Sequence, residues 1–370
     1  AMVNLTDSSI TSPGDVEVNT LYGDINAGTA RKIQIVPTAD HLTVPWDQAF
    51  ISGATSWMVQ TFDGIQPDLT IMIYHWRMLI AYVGLVGLIG LVYGIGLLLS
   101  KKMKLHPGNA IQEEERQIVS FTAVSFENES TGKFIAKYYL YTLLLLPTAA
   151  VPAITMFTTP LFLTGFLTTL VACLAINLLI YLGKSAKNRS IKPLALLKYN
   201  IVQKPKIWLF SIILASIFNF GFYIIVGLNY LGMLPAISRL GYVFLFGAIQ
   251  FFAIWIFGIF MENVVNKFIE QKLGLENNTK GLLVKSFVSF GLYFSWFFII
   301  IMLICALMGS LFLAMILILM VPIFLMSTFS GQYLRNISGS HIPAALLNAV
   351  LISLMIVTLS PIGQILRLFS

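Results

Sequence analysis

The chain has 370 residues, of which 57% are hydrophobic and only 11% charged, with a mean hydropathy of +0.84. Soluble globular proteins carry about 45–50% apolar and about 25% charged residues, so this composition excludes a protein that hides its apolar side chains behind a water-facing shell. It reads as an integral membrane protein. The net charge of +7 would point toward nucleic acid in a soluble protein; here it marks basic loops on the cytoplasmic face, and no nucleic-acid partner is expected. Cys173 and Cys305 lie in apolar runs and supply neither a disulfide framework nor a metal-ligand spacing.

The acids divide the chain. All the aspartates, Asp7, Asp15, Asp24, Asp40, Asp47, Asp63 and Asp68, precede residue 69. Residues 1–68 therefore read as a polar extracytoplasmic piece and residues 69–370 as a transmembrane bundle. Within the first piece, Lys32–Val36 alternates polar and apolar residues, as a half-buried strand does, and ends at Pro37. Thr38, Ala39, Asp40 and His41 follow on a turn, then Leu42–Trp46. Asp47 is placed to cap a helix on which Phe50, Ala54, Trp57, Met58, Thr61 and Phe62 share one face, ending near Gly64 and Pro67.

Beyond this point the uncharged stretches are Met78–Ser100, Tyr138–Gly183, Ile207–Ser238, Leu240–Met261, Ser286–Leu334 and Ile342–Leu366. A helix needs about 20 apolar residues to cross the hydrocarbon core. The second and fifth stretches are long enough for two passes each, broken at Thr158–Pro160 and Gly309–Ser310, which gives eight spans. Of the 23 Lys and Arg residues, eighteen fall after the first, third, fifth and seventh spans, and Arg31, Lys32, Arg77, Arg239 and Arg367 fall on the other side. The positive-inside rule then leaves both termini extracytoplasmic. Gly84, Gly87, Gly90 and Gly94 make the first span small-faced, and Gly90/Gly94 has the spacing for close helix packing, inside the bundle or in a homo-oligomer.

No span so drawn holds an ionisable residue in its interior, which weighs against coupled transport. Asn177, Asn219, Gln250 and Asn348 are its buried amides, and their default use is an interhelical hydrogen bond. Pro147, Pro152 and Pro322 are expected kinks. The 101–137 segment, with Glu113–Glu115 beside Arg116, reads as a solvated cytoplasmic surface, and His75 and His106 as interfacial, like His341. No phosphate-cradling glycine loop, dinucleotide fingerprint or His/Cys cluster occurs, so no cofactor and no metal is expected.

The run LYGDINAGTARKIQIVPTADHLTVPWDQAFISGATSWMVQTF resembles the carboxy-terminal end of an α/β-hydrolase domain, and more narrowly that of bacterial membrane-bound α/β hydrolases with a multi-pass carboxy-terminal region. Tyr22, Gly23 and Asp24, with Gly28–Lys32, match the stretch ahead of that family's histidine, and His41 matches the histidine itself. The resemblance implies a last strand, a catalytic-histidine loop and a closing helix, with His41 as the general base of a serine triad. The chain order there is serine, acid, histidine, with the serine on a G-x-S-x-G elbow. No such elbow occurs in these residues. The serine and the acid are therefore expected upstream of Ala1, and Asp40, adjacent to His41, is not expected to reach it as the triad acid.

Ala1 precedes Met2 with no export signal after it, and the expectation is the carboxy-terminal portion of a longer membrane-anchored hydrolase, inactive by itself. Its parent would act on an ester or amide at the outer face of a bacterial cell membrane, the bundle anchoring it and presenting a lipidic or envelope-derived substrate. The rival reading is a transporter, channel or assembly subunit with a small extracytoplasmic appendage.

Overall fold

A computed structural model describes residues 15–36, 47–62, 74–105, 129–143, 151, 154–155, 161–187, 205–227, 237–275, 279–308 and 314–359. The chain divides into two compact units, 1–83 and 84–370.

The first unit holds a short hairpin and one helix. β1 (Leu21–Tyr22) pairs antiparallel with β2 (Arg31–Lys32), Leu21 opposite Lys32 and Tyr22 opposite Arg31. The connection is built by Asp24. Its carboxylate accepts the N–H groups of Asn26 (2.6 Å) and Ala27 (3.2 Å), and its carbonyl accepts those of Thr29 and Ala30, as Asp does in turns. Gly23 sits at φ +78°, where a Cβ would meet the Thr29 carbonyl oxygen at 2.6 Å; only glycine fits there. α1 (Gln48–Thr61) starts at Asp47, whose Oδ1 accepts the Phe50 N–H at 2.9 Å, the cap its sequence predicts.

In the second unit, α2 (Tyr74–Lys102, from Gly84 onward), α3 (Thr131–Leu143), α4 (Phe162–Lys187) and α5 (Pro205–Phe222, continued by a π-helical turn Tyr223–Gly227) are followed by α6 (Leu240–Phe260). A second π turn, Met261–Asn266, joins α6 without a break to α7 (Lys267–Leu273); then come α8 (Thr279–Met308), α9 (Ala314–Ser338) and α10 (Ile342–Leu359).

The last helix is the hub: α10 packs against α4, α5, α6 and α9, while α8 packs on α9 and α4 on α6. Its buried residues include Ala344, Ala345, Ala349 and Ser353, and such small side chains let helix backbones approach closely in a bilayer. α9 turns into α10 through Gly339 at φ +73°. The Arg239 guanidinium donates to the α10 carbonyls of Val357 (3.1 Å) and Thr358 (3.4 Å).

This is a helical protein compatible with a multi-pass membrane fold. Among the described residues, five helical segments are long and apolar enough to span a bilayer: Val83–Lys102, Thr164–Lys184, Pro205–Ile225, Leu240–Leu273 and Thr279–Ala306. That is below the eight expected from the uncharged stretches. The second expected span, around Thr158–Pro160 and with Pro147 and Pro152, falls largely outside the described residues. The last, over Ile342–Leu366, is described only as far as Leu359, as α10.

The expected strand Lys32–Val36 is also shorter. Only Lys32 belongs to β2, because Asn19, at φ +66°, takes over the pairing: its N–H donates to the Ile33 carbonyl at 2.7 Å and its Oδ1 accepts the Ile35 N–H at 3.3 Å. No α/β-hydrolase domain is evident among the described residues.

Phe210 is fully buried, whereas Phe244, on α6, is 77% exposed. Phe210→Ala is expected to lower stability in detergent by about 3–5 kcal/mol, and Phe244→Ala by well under 1. Paired thermal-unfolding curves measure the difference.

Candidate functional site

The residue that the sequence marks first, His41, lies outside the described residues, as do Asp40 and Leu42–Trp46. What is described is the ground on either side. The YGD and GTARK residues form the hairpin, Tyr22, Arg31 and Lys32 in its strands and Gly23, Asp24 and Gly28–Ala30 in the connection. Tyr22 is buried, and its hydroxyl accepts the Glu17 N–H at 2.8 Å. Gln34 reaches α1, lying against Gly53 and donating to the Ala49 carbonyl at 3.4 Å. The helical face predicted to be buried is turned outward: Phe50, Ala54, Met58, Thr61 and Phe62 are exposed and Trp57 is half-buried. No residue of α1 is buried. Ile33 and Ile35, the apolar members of the expected strand, are exposed too.

Within the bundle, a cluster that the sequence reading passed over gathers at one carboxylate. Glu262, on the π turn after α6, takes the Arg335 guanidinium of α9 on Oε1 and His341 Nε2, just ahead of α10, on Oε2 at 2.9 Å. Each of the two carboxylate oxygens thus has its own cationic or imidazole partner. The Arg335 and Glu262 side chains are about a quarter exposed, and His341 less. His341 fits only because residue 258 is glycine: a Cβ there would stand 2.8 Å from Nδ1. One turn on, Asn266 and Gln332 exchange reciprocal amide hydrogen bonds of 3.1 and 3.2 Å. Nearby, Glu270 of α7 joins Lys267 (2.8 Å) and the buried Lys285 of α8 (2.6 Å).

Sequence reasoning missed the cluster because it ended the fifth span at the first charge. The structure carries the helix on through Glu262 to Leu273, beyond the uncharged run taken as the span, and so brings this acid to α9 and α10. Spacing alone gave no signal, since Glu262, Arg335 and His341 lie on three different segments.

The expected amides do bridge helices in three cases of four. Asn177 Nδ2 donates to the Thr142 carbonyl (3.1 Å), which also accepts Trp296 Nε1 (3.1 Å). Gln250 Nε2 donates to Thr168 Oγ1 (3.1 Å), and Asn348 Nδ2 to Ser330 Oγ (3.0 Å). Asn219 instead donates to Ala215 of its own helix (2.8 Å). Between α4, α6, α8, α9 and α10 lies a cavity of about 20 Å³ lined mainly by apolar side chains, with Gln250, Tyr293 and Ser327 in its wall. Among the described residues no three metal-ligating side chains come together. No family model, curated protein or solved structure matches the chain.

Removing one partner of a desolvated ion pair strands the other charge, at a cost of about 3 kcal/mol or more. Glu262→Gln is expected to destabilise the bundle by about that amount, and Glu262→Gln with Arg335→Met by less than the two single changes together. Unfolding in detergent of the four proteins measures the coupling, and strict additivity would deny it.

Proposed function

We propose that this chain is the carboxy-terminal portion of a membrane-anchored serine hydrolase of the α/β class, acting on an ester or amide at the outer membrane face. In this reading the bundle crosses the bilayer eight times, both termini are extracytoplasmic, and residues 1–68 complete a hydrolase domain. His41 takes the proton of a serine hydroxyl as that oxygen attacks the substrate carbonyl, then returns it to the leaving group. The serine and the orienting acid are supplied from upstream of Ala1.

The observation that carries the reading is the uncovered apolar surface of the first unit. Ile33 and Ile35 are 46% and 56% exposed, and Met58 on α1 and Phe62 just after it are more than half exposed. Exposed isoleucines and a helix face this apolar suit a larger core, because large exposed apolar patches mark surfaces that something covers. The last strand and closing helix of an α/β hydrolase present such faces to the rest of their sheet. Only a short stretch of sequence separates Thr61 from Tyr74, and a tether of that length suits a lipidic or envelope-derived substrate. Gly87, Gly90 and Gly94 have open space where a Cβ would stand, which leaves that face of α2 free for a second copy.

The test uses the complete product of the reading frame, upstream residues included. His41→Ala is expected to abolish labelling by a fluorophosphonate probe and to lower p-nitrophenyl ester turnover by about 10³-fold or more. Unchanged labelling and turnover would overturn the proposal in favour of a non-enzymatic bundle with a small appendage. Proteolytic cleavage between residues 62 and 74 is expected to spare soluble-ester turnover while abolishing that of bilayer-embedded substrate. Equal loss of both would refute presentation by the bundle.

A further inference from the structure

The carboxy-terminal end of α2 and the start of α5 bring four exposed lysines to one end of the bundle. The two helices run antiparallel, Gly96 lying against Leu214 and Gly221 against Leu88. From Gly96 on to Lys101, and from Leu214 back to Lys206, is about 7.5 Å and about 12 Å of helix. Lys101 and Lys102 therefore stand at the same end of the pair as Lys206, within about 5 Å of it along the helix axes, and Lys104 follows directly. All four side chains are exposed.

Two of these lysines sit where the local chain does not favour lysine. α2 ends in a Schellman turn: the Leu105 N–H donates to the Ser100 carbonyl (2.8 Å), the Lys104 N–H donates to the Lys101 carbonyl (3.1 Å), and Leu105 is buried. At the turn itself Lys104 has φ +53°, the left-handed position that glycine usually fills because a Cβ is strained there. Lys206 is the second residue of α5, where the open N–H groups already carry partial positive charge and a cation is disfavoured. Lys101 and Lys102 suit the dipole at the end of α2, but they relieve neither neighbour. No acid compensates. Among the described residues of the bundle the carboxylates are Glu129, Glu262 and Glu270, and bases elsewhere take each: Lys137, then Arg335 with His341, then Lys267 with Lys285. Like charges gathered in this way repel one another, and an anion among them removes that cost.

The chemistry of that anion follows from the surface beside the lysines. Trp208 and Leu209 come directly after Lys206 and are exposed, as is Ile212 one turn on, and tryptophan is favoured at the boundary between headgroups and hydrocarbon. A basic cluster bordered by exposed apolar side chains suits a ligand with an anionic head and hydrocarbon tails. We propose that the α2–α5 corner is a binding site for an anionic phospholipid, its phosphodiester held by Lys101, Lys102, Lys104 and Lys206 and its acyl chains lying along Trp208, Leu209 and Ile212. The site depends on the bundle lying in a bilayer and on nothing in residues 1–83.

The test is native mass spectrometry of the full chain in detergent, titrated with phosphatidylglycerol or with phosphatidylcholine carrying the same acyl chains. Phosphatidylglycerol is expected to bind about tenfold tighter or more, since each lysine near a membrane surface contributes about fivefold toward an anionic headgroup. Lys104→Gly relieves the positive φ and so keeps the fold; it is expected to weaken phosphatidylglycerol binding about fivefold and to leave phosphatidylcholine binding unchanged. Adding Lys101→Gln, Lys102→Gln and Lys206→Gln is expected to abolish the preference. Lys133→Gln with Lys280→Gln, at the starts of α3 and α8, serves as the control and is expected to retain it. Equal binding of the two lipids, a preference that survives the four changes, or one that falls as far in the control overturns the proposal. Soluble glycerol phosphate binding as tightly as phosphatidylglycerol overturns it too, because the site would then be one for a free phosphate.

Discussion

The bundle depends on how closely other helices can approach α10. In water, a helix this apolar would be held by the hydrophobic effect, but lipid tails are as apolar as leucine and offer no such gain for helix association. Close packing and internal hydrogen bonds have to supply it. α10 answers with alanine and serine at the contact positions, and α4, α5, α6 and α9 gather around it. Ser340 Oγ accepts the Ile342 N–H at its start, and Arg239 donates to the Val357 and Thr358 carbonyls.

The same constraint sorts the polar groups. A side chain that hydrogen-bonds to its own helix, like Asn219 to Ala215, is satisfied wherever the helix goes. One that bonds across a seam fixes which helices are neighbours and in what register. Gln250–Thr168, Asn348–Ser330 and Asn266–Gln332 do this in pairs, and Glu262 does it for three segments together. Where α6 continues past its apolar part, a π turn lies between Phe260 and Lys267. Such turns recur at functional sites, and this one carries both Glu262 and Asn266.

How much of this could be read beforehand follows from what each signal depends on. The apolar stretches are a property of the local chain, so α2, α4, α5, α6 and α8 stand where runs without charge stand. The Asp47 cap is equally local. The uncharged run stops at Glu262 but the helix runs on to Leu273, because a charge ends an apolar stretch without ending a helix. Arg335 and His341 supply partners from more than seventy residues away, and no local pattern announces that. The half-buried strand at Lys32–Val36 failed for the complementary reason. Alternation says which side chains want cover, and the described part of the first unit provides none for Ile33 or Ile35.

The two units therefore pose opposite problems in the use of surface. In the bundle, polar groups are drawn inward and many are paired across helices, and what faces outward includes Phe244, Val86 and Leu98, which a bilayer accepts. In the first unit, the hairpin spends its most constrained residues, Gly23, Asp24 and Gly28, on shaping a turn, while its isoleucines and the face of α1 remain open. Turn chemistry of that kind is self-sufficient and needs no neighbour. An uncovered apolar edge is not. It follows that the hairpin and α1 owe their shape to local capping and turn bonds, and any catalytic geometry at His41 would depend on whatever covers Ile33, Ile35 and Met58.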